Sequence, residues 1–160
     1  MKVLISACLL GHKVRWNKQD KRNQNLVEWA EENDIDLIPV CPEDELLGAP
    51  RSPIRMIMKN GETMAIHRKE NVAAALKEKC EEIIGRHPEA EGFIGIHGSP
   101  TCGISVGVKN LGRTDKGYMH KLVNFPTTES NMIKKEETRL VFLERMAKDK
   151  EKPYVCRVEN

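Results

Sequence analysis

No apolar run in these 160 residues approaches the roughly 20 needed to cross a bilayer. Neither sign of charge prevails: 26 Lys and Arg face 24 Asp and Glu, for a formal net charge of +2. Such a chain has no strong long-range field with which to capture nucleic acid, so any basic surface must be local. No membrane partner is expected. Internal repeats, Pro/Gly-rich linkers, zinc-ribbon spacings and Cys-x-x-Cys redox pairs are also missing. With 39% hydrophobic residues available for a core, residues 1–160 read as a single domain. Ile5-Ser6-Ala7-Cys8 imitates the processing site of a lipoprotein, but only residues 3–7 could act as its apolar region. That is short of the roughly 7 to 15 residues such a signal uses. The expected compartment is therefore cytoplasmic and reducing. There, five cysteines, an odd number, are explained by metal binding, catalysis or packing rather than by disulfides.

The apolar run at residues 2–7 reads as a buried strand, residues 36–40 resume as a strand, and residues 92–97 form a third apolar run. Asn23 or Asn25 is suited to cap a helix through about Glu32, with Leu26, Val27 and Ala30 inward. Residues 55–58 and 64–67 flank Asn60-Gly61, a dipeptide matched to a tight hairpin turn. From Asn71, the spacing of Val72, Leu76, Cys80, Ile83 and Ile84 predicts a helix stopping at Gly85, with Cys80 pointing inward. Residues 109–124 are polar and long enough to form a lid or binding loop. A last helix over 131–148 is expected to present Ile133, Leu140, Val141 and Ala147, and residues 154–156 to form a short final strand. Alternating strands and helices predict an α/β fold: a mainly parallel sheet with right-handed crossovers, flanked by helices, with an inserted β-hairpin.

Ligands of such open sheets bind beyond the carboxyl ends of the strands. Each of the three strands delivers a cysteine there: Cys8, Cys41 and Cys102. Thiolates select soft metals, chiefly zinc, copper(I) and iron-sulfur clusters. A structural zinc ion normally takes four protein ligands, and Cys156 or His97 could complete that set. A four-iron, four-sulfur cluster normally takes four cysteines; with three it keeps one iron open as a Lewis acid. The plain alternative is that the cysteines are small buried hydrophobes, the reading adopted for Cys80 and Cys156.

Several motifs together resemble a known family: Ser6-Ala7-Cys8-Leu9-Leu10-Gly11, Val14-Arg15, Lys21-Arg22-Asn23, Val40-Cys41-Pro42-Glu43, Pro50-Arg51 and Ser99-Pro100-Thr101-Cys102-Gly103. They look like the thiouracil desulfidases of the TudS type. The resemblance implies a Rossmann-like domain that holds a 4Fe-4S cluster through Cys8, Cys41 and Cys102, leaving one iron open. It also implies a non-redox desulfuration of a thiolated pyrimidine, with release of hydrogen sulfide. Water attack on the ring carbon then needs a nearby base. Glu43, two residues after Cys41, is the candidate, since partial desolvation there would raise its pKa. Ser99 is the candidate to position that water or relay its proton. Arg15, Arg22 and Arg51 are secondary candidates for anchoring carbonyls or a phosphate, and Trp16 for stacking on a base. One departure from the family's usual pattern is Asn17-Lys18, where an Asp-Gly pair is common. The expected partner is a small thiolated pyrimidine or nucleoside, because nothing appended resembles an RNA-binding domain. Two alternatives stand beside it. One is thiolated tRNA, hinted at by five basic or potentially basic residues in 12–21 beside Trp16. The other is a non-catalytic zinc or sulfur-carrying domain.

Overall fold

A computed structural model describes residues 1–104, 106–111 and 114–150 of the chain. Its centre is strand β1 (Lys2–Ser6), whose Val3, Leu4 and Ile5 are all completely buried. An unbroken apolar run of this kind marks a strand covered on both faces. β1 pairs in parallel with β2 (Asp36–Val40) on one side and with β6 (Gly92–Gly95) on the other. β9 (Thr127–Glu129) adds in parallel to β6, giving the sheet order β2-β1-β6-β9.

The pleat sends Val3, Ile5 and Ile94 to one face, where Leu26, Trp29, Phe142 and Met146 cover them. These come from helices α1 (Gln24–Glu32) and α5 (Glu136–Lys150). Leu4 and Phe93 point the other way, into Cys80, Ile83 and Met119. Those belong to α3 (Ala73–Arg86) and α4 (Tyr118–Leu122). Burying a Leu or Phe this completely stabilises the fold by roughly 1.5–3 kcal/mol relative to exposure. α1 starts where the Asn23 side chain accepts a hydrogen bond from the Leu26 N–H, satisfying an otherwise orphaned donor.

The remaining strands form a platform beside the sheet's carboxyl edge. β3 (Arg55–Lys59) and β4 (Glu62–His67) are antiparallel, joined through Asn60 and Gly61 at φ +51° and +78°. Two successive positive φ values are what a two-residue hairpin turn needs to follow the strand twist. β5 (Glu70–Asn71) extends this sheet, and β7 (Val106–Gly107) pairs with β8 (Thr114–Asp115). Met56 and Ala65 pack with Leu76, Val106 and Val108, docking the hairpin on α3. Among the described residues no helix is long and apolar enough to cross a membrane.

The structure revises several expectations. The stretch 109–124 is no free lid: it contains β8 and α4, whose Met119 is fully buried. α5 docks through Phe142 and Met146, whereas Leu140 and Val141 are each 54% exposed. Ile133 lies in a separate 3-10 turn (Met132–Lys134) and so sets no register for the helix. Val27 is only half-buried, and Trp29 takes the inward position with Leu26 and Ala30. The expected strand at 154–156 lies outside the described residues.

Candidate functional site

Three parallel strands end side by side, and their last residues are tied together. Ser6, at the end of β1, accepts the Ile96 N–H on its hydroxyl at 2.9 Å. Cys8 follows in a 3-10 turn (Ala7–Leu10), which Gly11 closes at φ +94°. Cys41 stands between β2 and helix α2 (Pro42–Leu47), which Pro42 initiates. Proline fits a first helical turn, where its missing N–H has no partner to lose. Cys102 sits in the loop 98–103, where its N–H donates to the Ser99 hydroxyl (3.2 Å) and Gly103 N–H to the Ser99 carbonyl (2.8 Å). That loop crosses directly over β6. A Cβ on Gly95 would lie 1.6 Å from the Cys102 carbonyl oxygen, so only glycine allows this approach. The same carbonyl is 2.6 Å from Nε2 of buried His120.

Cys8, Cys41 and Cys102 all line one cavity of about 1010 Å³. Burial pushes the Cys8 thiol up to about 11, with further pressure from Cys41. Burial and then Cys102 push Cys41 up to about 12. Burial raises Cys102 to about 12 against hydrogen bonds from Ser6 and Thr101. Each thiol thus feels a neighbouring one, and burial favours the protonated form of all three. Among the described residues no three His, Cys, Asp or Glu side chains could hold a single metal ion. His97, the possible zinc ligand, instead turns its Nδ1 to Glu129 at 2.7 Å. Cys156 lies outside the described residues. Three thiols lining one cavity of this size leave room for a cofactor several atoms across. Cys80 is fully buried in the α3 core cluster.

Glu43, 9% exposed on the first turn of α2, lines the same cavity. Its Oε2 pairs with Arg51 at 2.9 Å. Its Oε1 accepts from Thr101 Oγ1 at 3.0 Å and from Ser99 Oγ at 3.4 Å. Glu43 and Ser99, distant in sequence, are therefore in contact. Arg51 also donates to the Val14 carbonyl (2.7 Å) and the Gly48 carbonyl (3.0 Å). That arginine braces the acid and two loops instead of standing free for a ligand. Arg22 likewise folds back onto the Leu10 carbonyl at 2.8 Å. Arg15 and Trp16 do line the cavity, and Trp16 is 46% exposed.

Two contributors carry no signal of their role in the sequence. Thr101 lies inside the Ser99–Cys102 motif, but nothing there marks it as a partner of Glu43. Glu129 sits on β9, whose Thr-Thr-Glu sequence has no apolar period.

A sequence profile of the family described as 2-thiouracil desulfurase matches residues 3–139. Comparison with curated proteins gives no match. Among solved structures, one described as a [4Fe-4S]-dependent thiouracil desulfidase, TudS, is similar, with a TM-score of 0.72 and 22% sequence identity. The alignment covers 89% of this chain and 98% of that one, and it shows a shared fold.

Proposed function

Because this chain belongs to the 2-thiouracil desulfurase family, we propose that it hydrolytically desulfurates a thiolated pyrimidine such as 2- or 4-thiouracil or a related nucleoside. The net change is C=S + H₂O → C=O + H₂S, with nothing oxidised or reduced. The observation that carries the reading is the convergence of two buried thiols, a third half-buried one at Cys41, and a buried carboxylate on one cavity. Cys8, Cys41 and Cys102 would hold a 4Fe-4S cluster; when bound, it supplies a soft Lewis acid for the substrate sulfur. Glu43 Oε1 takes a proton from the attacking water. Arg51 and Thr101 hold that carboxylate in place, so little reorganisation accompanies the transfer. Ser99, in contact with both Glu43 and the Cys102 N–H, orients the water beside the thiol loop.

The apolar wall of Met56, Ile57, Met64 and Ile66 suits the flat face of a pyrimidine. A cavity of about 1010 Å³ has room for an attached sugar. A second reading, thiolated tRNA, draws on Arg15, Trp16, Lys59 and Lys109 along the cavity wall. Salt-sensitive tRNA binding would favour it, because phosphate contacts release counterions. The deciding experiment supplies 2-thiouracil and 4-thiouracil to anaerobically prepared protein with its iron and sulfide retained. Loss of thione absorbance with equimolar sulfide is expected. If both compounds stay intact, the substrate assignment fails.

A further inference from the structure

Desulfuration transfers two protons from water to sulfur, and Glu43 holds only one at a time. A second proton carrier on the same cavity lets both protons be held at once, without Glu43 having to pass the first before the second leaves. His97 lines the main cavity and also an adjoining one of about 590 Å³. It lies two residues beyond the end of β6, and its backbone N–H donates to Ser130 Oγ at 3.0 Å. Glu129 is paired with Gly95 in the β6–β9 register. The same pairing brings the Glu129 carboxylate within 2.7 Å of His97 Nδ1.

The two side chains differ sharply in setting. Glu129 is 5% exposed at its side chain and His97 48%. The other Glu129 oxygen accepts the Ile104 N–H at 2.8 Å. A carboxylate only accepts, so the ring donates from Nδ1–H and its Nε2 is left to take or give a proton. Among the described residues Nε2 has no hydrogen-bond partner. A buried acid that fixes one imidazole nitrogen while the other faces an open site is the arrangement that orients histidine bases and metal-bound histidines elsewhere.

We propose that His97, oriented by Glu129, is the second acid–base group of this site and delivers a proton to the departing sulfur. This rests on the desulfuration reading above. Glu43 takes the first water proton as the C–O bond forms. The second passes from the new hydroxyl to His97 Nε2 as the carbonyl forms and the C–S bond breaks, its electron pair departing with sulfur. His97, now carrying a proton on both nitrogens, gives the Nε2 proton to that sulfur and returns to its Nδ1–H form. Glu43 gives up its own proton to complete hydrogen sulfide.

A merely structural role is the competing account, since Glu129 ties His97 and Ile104, the two flanks of the cysteine-bearing loop. His97→Gln separates the two, because glutamine keeps a donor for Glu129 but cannot carry a proton. With anaerobic cluster-loaded protein and 4-thiouracil, His97→Gln should lower kcat on the order of 100-fold, leaving KM and iron content unchanged. Added imidazole should restore part of the activity of His97→Ala. Independently of turnover, ¹⁵N NMR of the loaded wild type should show the Nδ1–H tautomer, with the Nε2 resonance moving on saturation with uracil. An Nε2–H tautomer, a ring blind to uracil, unchanged kcat, a change in KM alone, or loss of iron from His97→Gln would each overturn the proposal. If the wild type itself leaves thiouracil intact, the desulfuration reading fails first; if the wild type is active and His97→Gln equally so, only this inference falls.

Discussion

Replacing Arg51 by methionine should cost this fold about 3 kcal/mol. Side-chain exposures of 5% for Arg51 and 12% for Glu43 make theirs a buried pair. Breaking such a pair from one side typically costs about 3–5 kcal/mol, because the remaining charge stays buried without compensation. Hydrogen bonds from Thr101 and Ser99 still reach Glu43, which places the expected loss at the lower end. Arg51 also braces the Val14 and Gly48 carbonyls, so the loops at Cys41 should loosen together. In a domain of this size about 1 kcal/mol moves Tm by roughly 2–4 °C, so Tm should fall by about 6–12 °C. Urea and thermal unfolding at matched iron content are the assays, since a bound cofactor stabilises by mass action. Adding Glu43→Gln removes the orphaned charge, and the double variant should recover at least about 1 kcal/mol relative to additivity. A loss below about 1 kcal/mol for Arg51→Met, the range of exposed pairs, would refute this reasoning.

Two further outcomes separate the cysteines and their scaffold. Cys80→Ala should leave iron content unchanged and cost about 1 kcal/mol in urea unfolding, as expected for trimming one buried atom from the α3 cluster. Iron lost from this variant would make Cys80 a ligand after all. Gly95→Ala should cost about 3 kcal/mol or more and lower iron retention, because the new methyl meets the Cys102 backbone, not a side chain that can swing away. Wild-type stability and iron content in Gly95→Ala would contradict the close approach.

How much of the molecule is legible in its sequence follows from which signals are local. β1 and β6 are legible because a strand buried on both faces is written as an apolar run, and β2, only partly buried at the sheet's edge, because Leu37, Ile38 and Val40 still form a short apolar stretch. Their shared direction, with the rule that ligands gather at carboxyl ends, is enough to group Cys8, Cys41 and Cys102. Asn60-Gly61 announces the hairpin for an equally local reason. β9 is hidden because three polar residues at a sheet edge leave no period, and with it goes the His97–Glu129 pair. Glu43 can be named from its neighbour Cys41, yet its partners Arg51 and Thr101 lie 8 and 58 residues away and no spacing rule reaches them. α5 misleads because two apolar faces compete within 131–148 and only tertiary packing chooses Phe142 and Met146 over Leu140 and Val141.

The most direct measurement is iron and acid-labile sulfide per chain in protein purified and kept without oxygen, for the wild type and for Cys8→Ala, Cys41→Ala and Cys102→Ala. About four iron and four sulfide in the wild type, with both lost in each single variant, is the expected result. One zinc with no iron in the wild type, or a cluster retained after any of the three substitutions, would contradict a three-cysteine cluster site.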